Sequence, residues 1–189
     1  YIDMPIQHAD DDILRRMGSR TNRADIEEVV TRLRERMPDI CLRTTVICGF
    51  PGEDEDKHNT LLSFIDKMRF DRLGAFAYSR EEGTPAHDFE GQIDEDVKQK
   101  RVEDVMLLQQ RLMEEANEAL VGTKQTVFME GKVADEEDVY IGRTYRDAPD
   151  VDGYVFIESP YELMSGRFVD VIINKADGYD LIGTLIEES

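Results

Sequence analysis

The sequence predicts an α/β fold followed by a small all-β barrel, on three observations. Strand-like and helix-like runs alternate over residues 1–120. Helical periodicity is then lost near Gly122. Beyond that point only short runs separated by turn residues remain.

The first run is "YIDMPIQ". Ile2, Met4 and Ile6 point one way, and Asp3 and Gln7 the other, which predicts a strand near 2–7. Ile26, Val29, Val30, Leu33 and Met37 recur at helical spacing. "CLRTTVICGF" predicts the second strand, near 41–48. Leu61, Leu62, Ile65 and Met68 mark one face of a second helix, and "LGAFAYS" a third strand at 73–79. A long helix follows from about Asp94 to Leu120, with Val102, Val105, Met106, Met113, Ala116 and Leu120 as its stripe. Such alternation implies parallel strands. Three units are too few to close a barrel, so residues 1–121 are expected to form a partial, TIM-like parallel barrel fragment. Residues 122–189 hold five runs: "KQTVFME", "VYIGRTY", "GYVFIE", "RFVDVII" and "YDLIGTLIE". They predict a five-stranded antiparallel barrel.

The net charge is −19, which disfavours nucleic acid as a partner and suits a basic protein. Residues 1–120 carry 17 Lys/Arg and 27 Asp/Glu, and the remainder 6 and 15. No apolar run is long enough to span a bilayer. The chain opens on a strand-like run without an initiator Met or a signal peptide, and reads as a fragment of a longer protein. Its two cysteines, Cys41 and Cys48, fall on opposite faces of a strand. A disulfide or a shared metal site is therefore not expected, in keeping with a reducing cytoplasm. His8, His58 and His87 show no metal-ligand spacing. His58 is expected on the solvated side of an acidic helix.

"CGFPGEDED" raises the possibility of a phosphate-binding turn. The carboxylates Glu53, Asp54, Glu55 and Asp56 argue against it, because they suit the positive end of a helix dipole and repel phosphate. The strand before the turn places Leu42, Val46 and Cys48, with Thr44 between them, on one face. Arg43 and Thr45 lie on the other with Cys41 and Ile47. If the apolar face packs on helices, Arg43 faces the lumen and needs an anion. Asp3 is one such partner, and a ligand carboxylate the other. Ligands of parallel α/β folds bind at the carboxyl ends of strands. His8 follows such an end, and Gln7 lines the same lumen. Gly49 and Gly52 would let the turn approach a flat ring.

Several segments together resemble the radical S-adenosylmethionine methylthiotransferases. "GFPGE" resembles that family's turn near the adenine, and "YSREEGTPA" (Tyr78–Ala86) its segment after the sixth strand. "PIQH" and "ILRRMGSR" resemble its stretch after the fourth strand. The barrel from Gly122 is similar to its TRAM domain, an OB-like module. One branch modifies an adenosine of transfer RNA. The other, the RimO branch, modifies an aspartate of a small-subunit ribosomal protein. Gln7–His8, "IGRTYRDAPDVDG" (Ile141–Gly153) and the acids Asp135, Glu136, Glu137, Asp138, Asp147, Asp150 and Asp152 favour the ribosomal-protein branch.

The resemblance implies methylthiolation of the aspartate β-carbon. It implies S-adenosylmethionine and two 4Fe-4S clusters as cofactors, with an electron donor to reduce the cluster. The cluster cysteines are absent from this chain, which should be inactive alone. Arg43, Thr45, Gly49, Phe50 and Gly52 are the expected cofactor-binding residues. Gln7, His8, Arg80, Tyr145, Arg146, Asp147, Asp150 and Asp152 are expected to meet the substrate or the basic ribosomal protein, and no catalytic side chain is assigned. A transfer-RNA adenosine methylthiotransferase and a non-enzymatic interaction module remain the alternatives.

Overall fold

The computed structural model describes residues 1–134 and 136–186, so Asp135 and Glu187, both used above, lie outside the described residues. The chain groups into two units, Ile2–Leu112 and, together with Tyr1, the residues from Met113 onward.

In the first unit, strands β1 (Ile2–Asp3), β2 (Leu42–Cys48) and β3 (Arg72–Ala77) form a parallel sheet in that order. The first strand is shorter than expected. Pro5 has no N–H to give to a ladder. The Thr44 hydroxyl takes over locally, donating to the Met4 carbonyl (2.9 Å) and accepting from the Ile6 N–H (3.3 Å). Pairing returns at a single bridge between Gln7 and Val46, with Gln7 at φ 67°.

Four helices follow the sheet's pattern: α1 (Asp11–Arg16), α2 (Arg23–Arg36), α3 (Glu55–Met68) and α4 (Glu95–Glu118). Asn22 and Asp25 form a capping box on α2, and Asp54 caps α3 through the Lys57 N–H. The apolar face of β2 is the one expected. Leu42, Val46 and Cys48 are buried with Val30 of α2, Leu61, Phe64 and Ile65 of α3, and Val105 and Leu112 of α4. Each such side chain contributes about 1.5–3 kcal/mol by leaving water.

From Met113, strands β4 (Lys124–Lys132), β5 (Val139–Arg143), β6 (Val155–Glu158), β7 (Phe168–Asp177) and β8 (Asp180–Leu185) close a barrel in the order β4-β5-β6-β8-β7. Val127, Met129, Val155, Ile157, Val171 and Ile173 fill its interior by strict alternation. The barrel is not wholly antiparallel, because β6 and β8 pair in parallel. A closed ring of five strands cannot alternate direction throughout, so an odd strand number forces a parallel pair. No helix occurs among the described residues of the barrel beyond Glu118, and no helix of the described chain is long and apolar enough to cross a membrane.

Candidate functional site

The carboxyl ends of the three parallel strands meet at a cavity of about 660 Å³, within the range of small-molecule sites. Each strand end contributes to its wall. Gln7 comes from the segment after β1, Phe50 from the turn after β2, and Tyr78 and Ser79 from the exit of β3. Thr45 and Ile47, on the face of β2 turned away from the core, line its floor. The segment Thr84–Phe89, which contains a short 3-10 turn at Pro85–Asp88, closes another side. Phe50 meets Tyr78 edge-on at 5.0 Å and Phe89 at 6.2 Å, and the Arg16 guanidinium lies 5.2 Å over Phe89. The Tyr78 hydroxyl is buried and has no hydrogen-bond partner among the described residues. A buried hydroxyl left unpaired is costly unless a ligand or water completes it.

The turn beside the cavity rests on buried ions. Glu53 is 1% exposed. Its Oε2 accepts from the Gly49 N–H (2.7 Å) and lies 3.5 Å from His8 Nε2. Its Oε1 accepts from Arg101 Nη1 (3.2 Å), which also donates to the Glu53 carbonyl (2.8 Å). His58 lies on the same oxygen at 3.7 Å, and its other nitrogen is 3.4 Å from Asp104. His8 Nδ1 accepts from the Asp10 N–H (2.9 Å), which leaves Nε2 as the protonated nitrogen facing Glu53. Burial opposes ionisation of Glu53. The His8 imidazole at 3.5 Å, the Gly49 N–H and Arg101 outweigh it and hold the carboxyl below its ordinary pKa. Burial pushes the His58 pKa down, against the nearby carboxylates.

Residues 121–186 match the TRAM domain. Over 184 residues, 97% of its length, the chain is 52% identical to the ribosomal protein uS12 methylthiotransferase RimO of Lachnoclostridium phytofermentans. Over its whole length it is 48% identical to the RimO of Acetivibrio thermocellus and 46% identical to that of Clostridioides difficile. The matches cover 42% of each of these relatives, so the chain spans about two fifths of their length. The chain is similar over nearly its whole length to part of these RimO proteins.

Of the residues expected to serve a RimO cofactor, Thr45 and Phe50 line the cavity. Arg43 does not. It pairs with Asp3 (Nε to Oδ2, 3.5 Å), the structural partner foreseen for it. Gly49 and Gly52 are not on the wall either. Their missing side chains make room for Lys98 and Arg16 rather than for a ring.

Among the expected substrate residues, Gln7 lines the cavity, and His8 is corrected. Fully buried against Glu53, His8 offers nothing to a partner. Arg80 is exposed off the wall and holds the cavity loop by donating from Nε to the His87 carbonyl (2.8 Å). His58, expected to be solvated, is 2% exposed. In the barrel, Tyr145 and Asp150 are exposed, and Arg146 is half-buried. Asp147 and Asp152 are corrected as docking charges, because they hold their own loop. Asp147 Oδ2 accepts from the Thr144 N–H (3.2 Å) and hydroxyl (2.8 Å), and Asp152 Oδ2 from the Ala148 N–H (2.8 Å).

The RimO resemblance implies S-adenosylmethionine and iron–sulfur clusters as cofactors. S-adenosylmethionine fits the cavity, which offers aromatic edges and the Gln7 and Thr45 side chains. An iron–sulfur cluster does not fit. Cys41 and Cys48 are buried, and burial, with Glu53 and Asp104 nearby, pushes the Cys48 thiol up to about 12, whereas a ligand must be a thiolate. No group of three His, Cys, Asp or Glu among the described residues is placed to hold a metal.

Proposed function

We propose that this chain is part of a cytoplasmic enzyme that methylthiolates the β-carbon of an aspartate in ribosomal protein uS12. Residues 1–121 supply part of a TIM-like barrel wall with the S-adenosylmethionine pocket, and residues 122–189 the TRAM domain that meets the basic substrate protein. The observation that carries the reading is the 52% identity to a RimO over 97% of the chain. The cavity at the strand ends supports its cofactor half.

S-adenosylmethionine, when bound, supplies the radical chemistry and the methyl group. The chain's own residues bind and orient it. Phe50 and Phe89 present edges to a flat heterocycle. The Thr45 hydroxyl gives a hydrogen bond to its polar groups, and Gln7 closes the strand-end side. The apolar wall of Ile47, Met17 and Ala86 keeps water from the bound molecule. This chain's residues do no proton transfer in the reading.

The test is calorimetric titration of S-adenosylmethionine into the chain and its Thr45→Val variant. Wild type should bind, and the variant should bind several-fold more weakly, as the loss of one hydrogen bond of about 0.5–1.5 kcal/mol requires. No binding by wild type overturns the cofactor half. For the substrate half, the chain is titrated separately with uS12 and with transfer RNA. Binding to transfer RNA alone overturns it.

A further inference from the structure

We propose that Glu53 is a positioning residue: its buried carboxylate, clamped by His8 and Arg101, fixes the Gly49–Gly52 turn that presents Phe50 to the cavity. This rests on the reading of that cavity as the S-adenosylmethionine pocket.

The two carboxylate oxygens divide the task. Oε2 takes the Gly49 N–H at 2.7 Å, the shortest contact in the cluster. That bond spans the turn, joining its first backbone amide to the side chain that follows Gly52. The Phe50 carbonyl accepts from the Glu53 N–H at 2.9 Å, so the turn is closed twice by one residue. Oε1 meets Arg101 of α4, and the Arg101 guanidinium also binds the Glu53 carbonyl. His8 reaches the carboxylate from the segment after β1, and His58 from α3. Residues from four separate segments thus converge on one anion, next to the residue that forms the cavity's aromatic corner.

A charge so buried would be expensive without such partners, and a neutral staple would close a turn as well. What ionic partners add is direction. Charge-assisted hydrogen bonds are shorter and stronger than neutral ones, and groups that hold a binding side chain in place set its affinity without touching the ligand. The Phe50 side chain has no polar atom to hold it, so its place depends on the backbone on either side and on its packing against Tyr78 and Phe89. Gly49 sits at φ 76° with Lys98 against it, and Gly52 at φ 87° donates to the Gly91 carbonyl at 2.8 Å. The Glu53–Gly49 bond is the link between this backbone and the buried ions.

The experiment measures amide hydrogen exchange by NMR and S-adenosylmethionine affinity on the chain, for wild type, Glu53→Gln and His8→Gln. In wild type the Gly49 amide should exchange at least tenfold more slowly than an open-loop amide. In Glu53→Gln, which keeps the side chain's shape, that exchange should speed up about tenfold and affinity fall about tenfold, while barrel amides such as Val127 are unchanged. His8→Gln should move both in the same direction by less. An unprotected Gly49 amide in wild type overturns the proposal, even if the variants fail to fold. So does faster Gly49 exchange with unchanged affinity, which would make Glu53 a staple of the fold alone. If wild type binds no S-adenosylmethionine, the reading of the cavity fails, and the Gly49 exchange comparison alone decides whether Glu53 holds the turn.

Discussion

Gly49→Ala is expected to destabilise the first unit by roughly 2–5 kcal/mol, through two separable costs. The backbone there has φ 76°, and an L-residue in the left-handed region costs roughly 1–2 kcal/mol. The added Cβ would also stand 2.3 Å from Lys98 Cγ and 2.9 Å from Lys98 Cβ. These atoms are at the root of the side chain, not its mobile end. Lys98 is only 6% exposed, its Nζ is 3.2 Å from Glu95 Oε2, and it lies 5.4 Å over the Tyr78 ring, so it has nowhere to swing. Overpacking of this kind costs about 1–3 kcal/mol. Urea unfolding followed by helical ellipticity reads the right unit, since the barrel strands contribute none of it. A double-mutant cycle with Lys98→Ala separates the costs. That change removes the 2.3 Å contact and leaves the backbone cost and the 2.9 Å contact to Cβ, so the pair should be less destabilised than the sum by at least about 1 kcal/mol. A single-variant loss under about 1 kcal/mol refutes both costs. Additivity to within about 0.5 kcal/mol refutes the steric one.

The Cys48 thiol, raised from 9.0 to about 12 mainly by burial, should resist alkylation at pH 8 in the folded chain and react on unfolding. Because its folded pKa exceeds the unfolded one, the unfolded state loses its proton first. The stability it confers is whole below pH 9 and is lost as pH rises from 9 toward 12, at up to about 1.4 kcal/mol per pH unit. Cys48→Ala should flatten that part of the curve. Asp147→Ala should cost about 1–3 kcal/mol in barrel stability by leaving the Thr144 N–H and O–H without their acceptor, whereas Asp150→Asn, at an exposed loop tip, should stay within about 0.5 kcal/mol. Equal effects in the two would show that Asp147 does not staple its loop.

What was legible in the sequence was periodic. Alternation in "LRTTVIC" assigned every residue of β2 to its face, and the loss of 3.6-residue spacing after Leu120 marked the all-β part. Helix α1 was missed because six residues with two adjacent apolar positions, Ile13 and Leu14, give no period to detect, although Asp10 caps it as an N-cap should. The fate of the four acids after Gly52 was not periodic. Asp54 caps α3, Glu55 and Asp56 sit in its exposed first turn, and Glu53 is buried, by partners that lie in other segments. One trace was readable. Arg101 stands on α4 in line with Val105 and Leu112, and a charge on a buried stripe implies a buried counter-charge. Thr144 and Asp147 likewise form a local pair three residues apart that signals a closed turn rather than a docking loop.

Losing Asp147 and Asp152 as docking charges does not remove the barrel's acidity. Of the 15 acids in residues 122–189, Glu136, Glu137, Asp138, Asp150, Glu158, Glu162 and Asp177 are exposed. Its cations are differently placed. A phosphate backbone needs several unpaired Lys and Arg. Lys124 is 2.6 Å from Asp170, Arg143 is 2.8 Å from Glu130 with its guanidinium 5.1 Å over Phe128, and Lys175 is 3.4 Å from Asp177. Half of the six basic residues are therefore committed to carboxylates within the barrel. Under the proposed function, such a surface would steer a cationic protein toward it and give RNA little to hold. Steering sets the rate of encounter more than the affinity, which exposed aromatics must supply. Tyr145, Tyr161, Phe168 and Tyr179, between 49% and 70% exposed, are side chains of that kind on this barrel.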